Sequence, residues 1–107
     1  MPLFRTTDRS FSNIHIERIL YVESFRNNIA FHMVDGKQIV CNMPLKQVHE
    51  LMPELYRISS SILLNEKELR SIRSVGPYYY FKLSNGEKLK SLSKSRFVKE
   101  FFANLRP

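Results

Sequence analysis

Two dipeptides, Asp35-Gly36 and Asn85-Gly86, constrain this chain more than any other feature. Each follows a run rich in β-branched and aromatic residues, Ile29 to Val34 in the first case and Tyr78 to Leu83 in the second. Asp-Gly and Asn-Gly tolerate positive φ at both positions, so each predicts a two-residue type I′ β-hairpin. The returning strands are expected over 38–43 and 87–92. Ile19 to Val22 reads as a further short strand, ended by a polar break over Ser24 to Asn28. Leu69 to Val75 alternates weakly and also reads as a strand, with Gly76-Pro77 as a turn. Leu55 to Ile58 and Ile62 to Leu64 are short apolar pieces separated by the loop Ser59-Ser60-Ser61.

Helical spacing occurs twice. Leu45, Val48, Leu51 and Met52 share one face of a short pattern near 44–53, with Pro44 suited to the first helical position and Pro53 closing it. Such a short helix must be held by packing rather than propensity. Phe97, Val98, Phe101, Phe102 and Leu105 form an apolar stripe near 94–105, with Ser93 or Ser95 as its N-cap. No internal repeat stands out. Several short strands, two hairpins and two helices place the chain among all-β or β-rich α+β folds.

At 107 residues, with 43% hydrophobic and 25% charged, the chain is sized for one domain with one core. The N-terminal ten residues lack the apolar core of a signal peptide, and no apolar run approaches the ~18 residues of a membrane span. The single cysteine, Cys41, excludes an internal disulfide framework, and its mid-strand position suits a small buried hydrophobe. A cytoplasmic setting follows as the expectation.

Charge is more informative. The net charge is +7, and residues 82–107 supply +5 of it, through seven basic side chains against Glu87 and Glu100. A basic segment of this kind favours anionic partners, nucleic acid first and an acidic membrane surface second. Catalytic chemistry has little to stand on. There is no phosphate-binding glycine loop and no HExxH, and His15, His32 and His49 lack metal-ligand spacing. No nucleophile, base and orienter assemble, so no enzyme activity and no cofactor are expected. The aromatic run Tyr78-Tyr79-Tyr80-Phe81 reads as one strand with alternate rings on opposite faces; exposed rings would instead stack unpaired bases. No recognition helix of the helix-turn-helix kind is evident: the 44–53 helix lacks arginine and the 94–105 helix places phenylalanines where base-reading residues would be needed, so DNA contact is expected from loops.

Five pieces in order, Ile19-Leu20-Tyr21-Val22-Glu23-Ser24, Pro44-Leu45-Lys46-Gln47-Val48, Tyr56-Arg57-Ile58 to Ser61, Leu63-Leu64-Asn65 and Ser95-Arg96-Phe97, resemble the LytTR family of DNA-binding domains. The resemblance spans residues 14 to 102. It divides the chain into an N-terminal extension, 1–13, and a LytTR-like domain, 14–107. It implies an elongated fold of antiparallel strands in small sheets, which binds promoter DNA by inserting loops into successive major grooves. Family members commonly follow a receiver domain. The chain has no room for one, so it reads as a standalone or excised domain of a bacterial transcription regulator, with a receiver or regulatory protein as partner. Family sites are often direct repeats, which implies weak pairing of two copies on DNA.

The resemblance carries over residue by residue. Its first base-reading loop falls on Phe25 to Asn28, where Arg26, Asn27 and Asn28 have suitable chemistry: arginine pairs bidentately with guanine, asparagine with adenine. Its second loop, usually His-Arg-Ser, here reads Ser59-Ser60-Ser61, so only Ser61 matches and sequence preference is expected to be relaxed. Its third contact is Arg96. Lys88, Lys90 and Lys94 flank Arg96 and are expected to neutralise phosphates. Competing readings make Arg57 an ion-pair partner and Arg26 an ordinary hairpin charge. The functional alternative is a protein-interaction module that has lost DNA reading.

Overall fold

The computed structural model describes residues 3–105. The expected β-rich class holds. Ten strands run β1 (Leu3–Arg5), β2 (Phe11–Asn13), β3 (Ile19–Phe25), β4 (Asn28–Met33), β5 (Gln38–Cys41), β6 (Tyr56–Ser59), β7 (Ile62–Leu64), β8 (Leu69–Val75), β9 (Tyr78–Leu83) and β10 (Lys88–Leu92). Helix α1 (Leu45–Leu51) and helix α2 (Arg96–Asn104) match the two expected helical segments. Every pairing is antiparallel, in sheets ordered β5-β4-β3-β7-β6, β10-β9-β8 and β1-β2. The molecule is elongated, 42 × 24 × 22 Å.

Two apolar clusters lie on either face of the five-stranded sheet. Val22, Ile29, Phe31 and Leu63 join Phe4, Leu45 and Val48 in the first. Tyr21, Ile58 and Leu64 join Phe81, Leu83, Leu89, Val98 and Phe101 in the second. Strand alternation explains the division, because successive side chains leave a strand on opposite faces. Phe4 comes from the segment expected as an extension; β1 and β2 pair there, Phe4 is buried against Phe31, and Thr6 bridges to Cys41. Cys41 itself is a buried core thiol, as expected.

The expectation of no internal repeat is corrected. Residues 65–91 repeat the backbone of 15–41 state for state: a 3-10 turn, a long strand, a two-residue turn, a second strand, a glycine turn and a third strand. Even the register shift recurs, between Ile19 and Tyr21 in one copy and Leu69 and Ser71 in the other. Only Ser24/Ser74, Phe31/Phe81 and Gly36/Gly86 are identical across this offset. What repeats is the apolar pattern, which is all that strand formation requires.

Local expectations are also corrected. The glycine turns are not type I′, because only Gly36 (φ 90°) and Gly86 (φ 89°) have positive φ, not Asp35 or Asn85. In each turn the glycine N–H donates back to the last strand residue, Met33 or Leu83, whose own N–H donates to the carbonyl of Lys37 or Glu87. This is a three-residue loop closed by a left-handed glycine. Asp35 and Asn85 contribute by accepting from the N–H two residues on. The polar break over 24–28 shrinks to Arg26-Asn27, because backbone pairing carries β3 through Phe25 and starts β4 at Asn28. The serine loop shrinks likewise to Ser60-Ser61. Pro44 is the N-cap of α1 with extended ψ, not its first helical residue. Arg106, counted in the basic tail, lies outside the described residues.

Candidate nucleic-acid interface

The turn at Arg26-Asn27 and the turn at Ser60-Ser61 lie side by side, because β3 pairs with both β4 and β7. The Ser24 N–H donates to the Ser61 carbonyl at 2.8 Å and locks the two turns together. Between them and the start of α1 opens a furrow of about 690 Å³ lined by Arg26, Asn27, Asn28, Asn42, Lys46, Arg57 and Ser60, among others. A second depression of about 360 Å³ is lined by Ser59, Ser60, Ser61, Tyr78, Lys90, Ser95 and Phe97. Ser60 belongs to both, so the two form one continuous edge.

Three cations at this edge, Arg57, Lys90 and Arg96, are held by nameable contacts, and Arg26 is set by its backbone. Arg26 sits at φ 55°, in a left-handed conformation that non-glycine residues seldom adopt. The Arg57 guanidinium donates to the Ser59 carbonyl at 3.2 Å and to the Ser60 carbonyl at 2.6 Å. It thereby shapes the serine turn, in place of the ion pair the sequence offered as an alternative. The same guanidinium lies 4.9 Å from the Phe97 ring centroid, and that of Arg96 lies at the same distance. Phe97 therefore ties the serine turn to the third expected contact. Arg96 opens α2, where the Ser95 hydroxyl caps the helix by accepting from the Phe97 N–H. Lys90 Nζ lies 4.5 Å over the Tyr78 ring. The Ser91 hydroxyl donates to the Ile58 carbonyl at 2.6 Å and joins β10 to β6.

No carboxylate lines either depression. The salt bridges among the described residues are His15–Glu17 and His32–Glu23, so no described lysine or arginine is held by an acid. Arg26, Asn27, Asn28, Ser59, Ser60, Ser61 and Lys90 line the edge, and Arg96 adjoins it through Phe97. Lys88 does not line it. It belongs to a separate depression of about 430 Å³ with Ser71, Arg73, Val75, Tyr80 and Lys82. Lys94 is exposed in the turn before α2 and lines neither depression of the edge. Asn42, Lys46 and the anchoring role of Arg57 were missed in the sequence. Only the position of Arg57, two residues before the serine run, gave any signal of the last.

The tyrosine run alternates as expected. Phe81 is buried and Tyr79 packs on Phe102, with ring centroids 5.1 Å apart, while Tyr78 and Tyr80 take the opposite face. Among the described residues no group of three or more His, Cys, Asp and Glu could hold a metal ion. No helix there is long and apolar enough to cross a membrane.

A strand-rich, elongated domain with a carboxylate-free cationic edge defines a class of polyanion-binding modules. The family model of the LytTr DNA-binding domain matches residues 9–106, and the chain belongs to that family. Its fold is similar to the LytTr DNA-binding domain from a Bacillus cereus chain named for a methyl-accepting/DNA response regulator. The two share 15% identity with a TM-score of 0.76, over 94% of this chain and 91% of that one. No curated protein matches by sequence.

Proposed function

We propose that this domain regulates transcription by sequence-specific binding of duplex DNA, with the Arg26-Asn27 turn, the serine turn and the Arg96 region entering major grooves. Three segments far apart in sequence meet on one cationic edge, and that observation carries the reading. The long dimension of 42 Å exceeds one turn of B-DNA, about 34–36 Å, so a domain lying along the duplex reaches successive grooves. Arg26 and Arg96 have the fork that reads guanine, and Asn27 and Asn28 the amide that reads adenine. Serine discriminates less, so base choice opposite the serine turn is relaxed. Lys46, Lys90 and the exposed Lys94 meet phosphates, which sets position without specifying sequence. Two copies on direct repeats, and a receiver domain or regulatory protein as the source of the signal, complete the proposal, which places the protein in a bacterial cytoplasm.

Selection of preferred duplexes from a random pool tests this directly. The wild-type domain should enrich a defined motif. Arg96→Ala should lose about 1–3 kcal/mol of discrimination at one position of that motif. Identical enrichment by wild type and Arg96→Ala would remove Arg96 from the reading face.

A further inference from the structure

The repeat exposes a surface that DNA reading leaves unused. In the first copy the edge of β3 is covered: Tyr21, Val22 and Glu23 pair with Leu64, Leu63 and Ile62 of β7. In the second copy β8 reproduces β3 strand for strand, including the register shift, yet among the described residues β8 pairs only with β9. Its backbone is shaped to take an antiparallel neighbour and has none.

The chemistry beside that edge selects the neighbour. Opposite pairs Arg73↔Tyr80 and Ser71↔Lys82 put these side chains on the outer face, where Lys88 pairs with Lys82 from β10. They line one depression with no carboxylate among its lining residues. In the first copy the corresponding positions hold Glu23 for Arg73, Ala30 for Tyr80 and His32 for Lys82. That face of the first copy is covered by the second hairpin, whereas here the same positions have become cationic around one aromatic ring. On the other face Ile72 is only half-buried against the second core cluster.

We propose that the open edge of β8 takes an extended acidic segment of a partner protein as a fourth strand of this sheet. Alternation dictates the segment's pattern: acidic side chains toward Arg73 and Lys82, apolar ones toward Ile72. A second copy of this chain is the wrong occupant, because its own β8 would set a second pair of arginines, Arg70 and Arg73, alongside the first with no carboxylate in either strand to offset them. Duplex DNA is also wrong, because it has no backbone amides to complete a β-ladder; the depression shares no lining residue with the edge that carries Arg26 and Ser60, although Tyr80 meets Tyr78 and pairs with Lys90 at its border.

The test is independent of DNA binding. A fluorescent peptide of alternating glutamate and valine is titrated against the whole chain, with amide hydrogen exchange followed residue by residue. Binding should slow exchange in β8. Methylating alternate peptide nitrogens should weaken binding about tenfold, as expected for lost ladder hydrogen bonds. Arg73→Glu with Lys82→Glu should weaken it by a similar factor, and Arg96→Ala should leave it unchanged. Equal binding of the methylated peptide would mean bare polyanion attraction and would overturn the proposal. So would protection of β8 by duplex DNA rather than by the peptide, or an absence of peptide binding.

Discussion

Arg26 holds a backbone conformation, φ 55°, that its counterpart in the repeat assigns to a glycine, Gly76 at φ 57°. A side chain kept where glycine is easier points to use of that side chain. Arg26→Gly should therefore raise stability by a few tenths to about 1 kcal/mol while weakening DNA binding. Thermal melting and duplex titration of the same variant should move in opposite directions, and a parallel change would deny the strain. Arg57 holds the Ser59 and Ser60 carbonyls and leans on the Phe97 ring, so under the proposed reading it acts on DNA only by shaping the turn. Arg57→Ala should weaken specific binding by about 1–3 kcal/mol, and its effect should not add to that of Ser60→Ala if it acts by shaping the turn. Tyr21 donates to Glu87 Oε2 at 2.6 Å, which ties the first hairpin to the second. Burial and that carboxylate push the phenol well above its ordinary value of 10.0. The folded state thus holds the proton more tightly than the unfolded chain. Its contribution is complete below pH 10.0 and falls as pH rises beyond it. Melting curves from pH 8 to 11 should show this decline, and Tyr21→Phe should flatten it.

Among the elements, α2 joins stability to the site. Val98 and Phe101 bury in the second cluster, Phe101 meets Tyr56 and Phe81 edge-on, and the same helix carries Arg96 at its start. Phe101→Ala should cost about 3–5 kcal/mol by leaving a cavity. Ser95→Ala should cost about 1 kcal/mol through the lost cap. Because Arg96 is the first residue of α2, fraying there should also weaken DNA binding, measurable at temperatures where the fold persists. Strands β3, β4 and β9 were legible because β-branched and aromatic residues recur there over several positions. β1 and β2 were not, since three-residue strands are too short to establish a period. The repeat was hidden for a related reason. Backbone pairing demands apolar residues on one face, whichever they are, so Ile19 and Leu69, or Ile29 and Tyr79, serve the same position.

For the molecule as a whole, electrostatics should dominate affinity. Arg26, Lys46, Lys90 and Arg96 stand on or beside one edge without carboxylate partners. The three lysines assigned to phosphates, Lys46, Lys90 and Lys94, give a slope of log K against log salt of about −2.7. A slope near zero, measured on random duplex, would refute the role of this edge. Charge by itself could not have located it. Lys88 and Lys90 are neighbours on one face of β10, yet Lys90 leans on Tyr78 toward the edge and Lys88 lies with Arg73, Tyr80 and Lys82.

Short-range information in the chain determined the strand-rich class, the places where it turns, the two helices and the surplus of cations near its end. Each of these depends on backbone sterics, side-chain alternation or composition over a few residues, and all of that is written locally. Only the tertiary structure decided that Arg26, Ser60 and Arg96 share an edge. That meeting requires β7 to pair with β3 and Phe97 to sit beneath Arg57. Such contacts join residues tens of positions apart, through packing that no local pattern encodes.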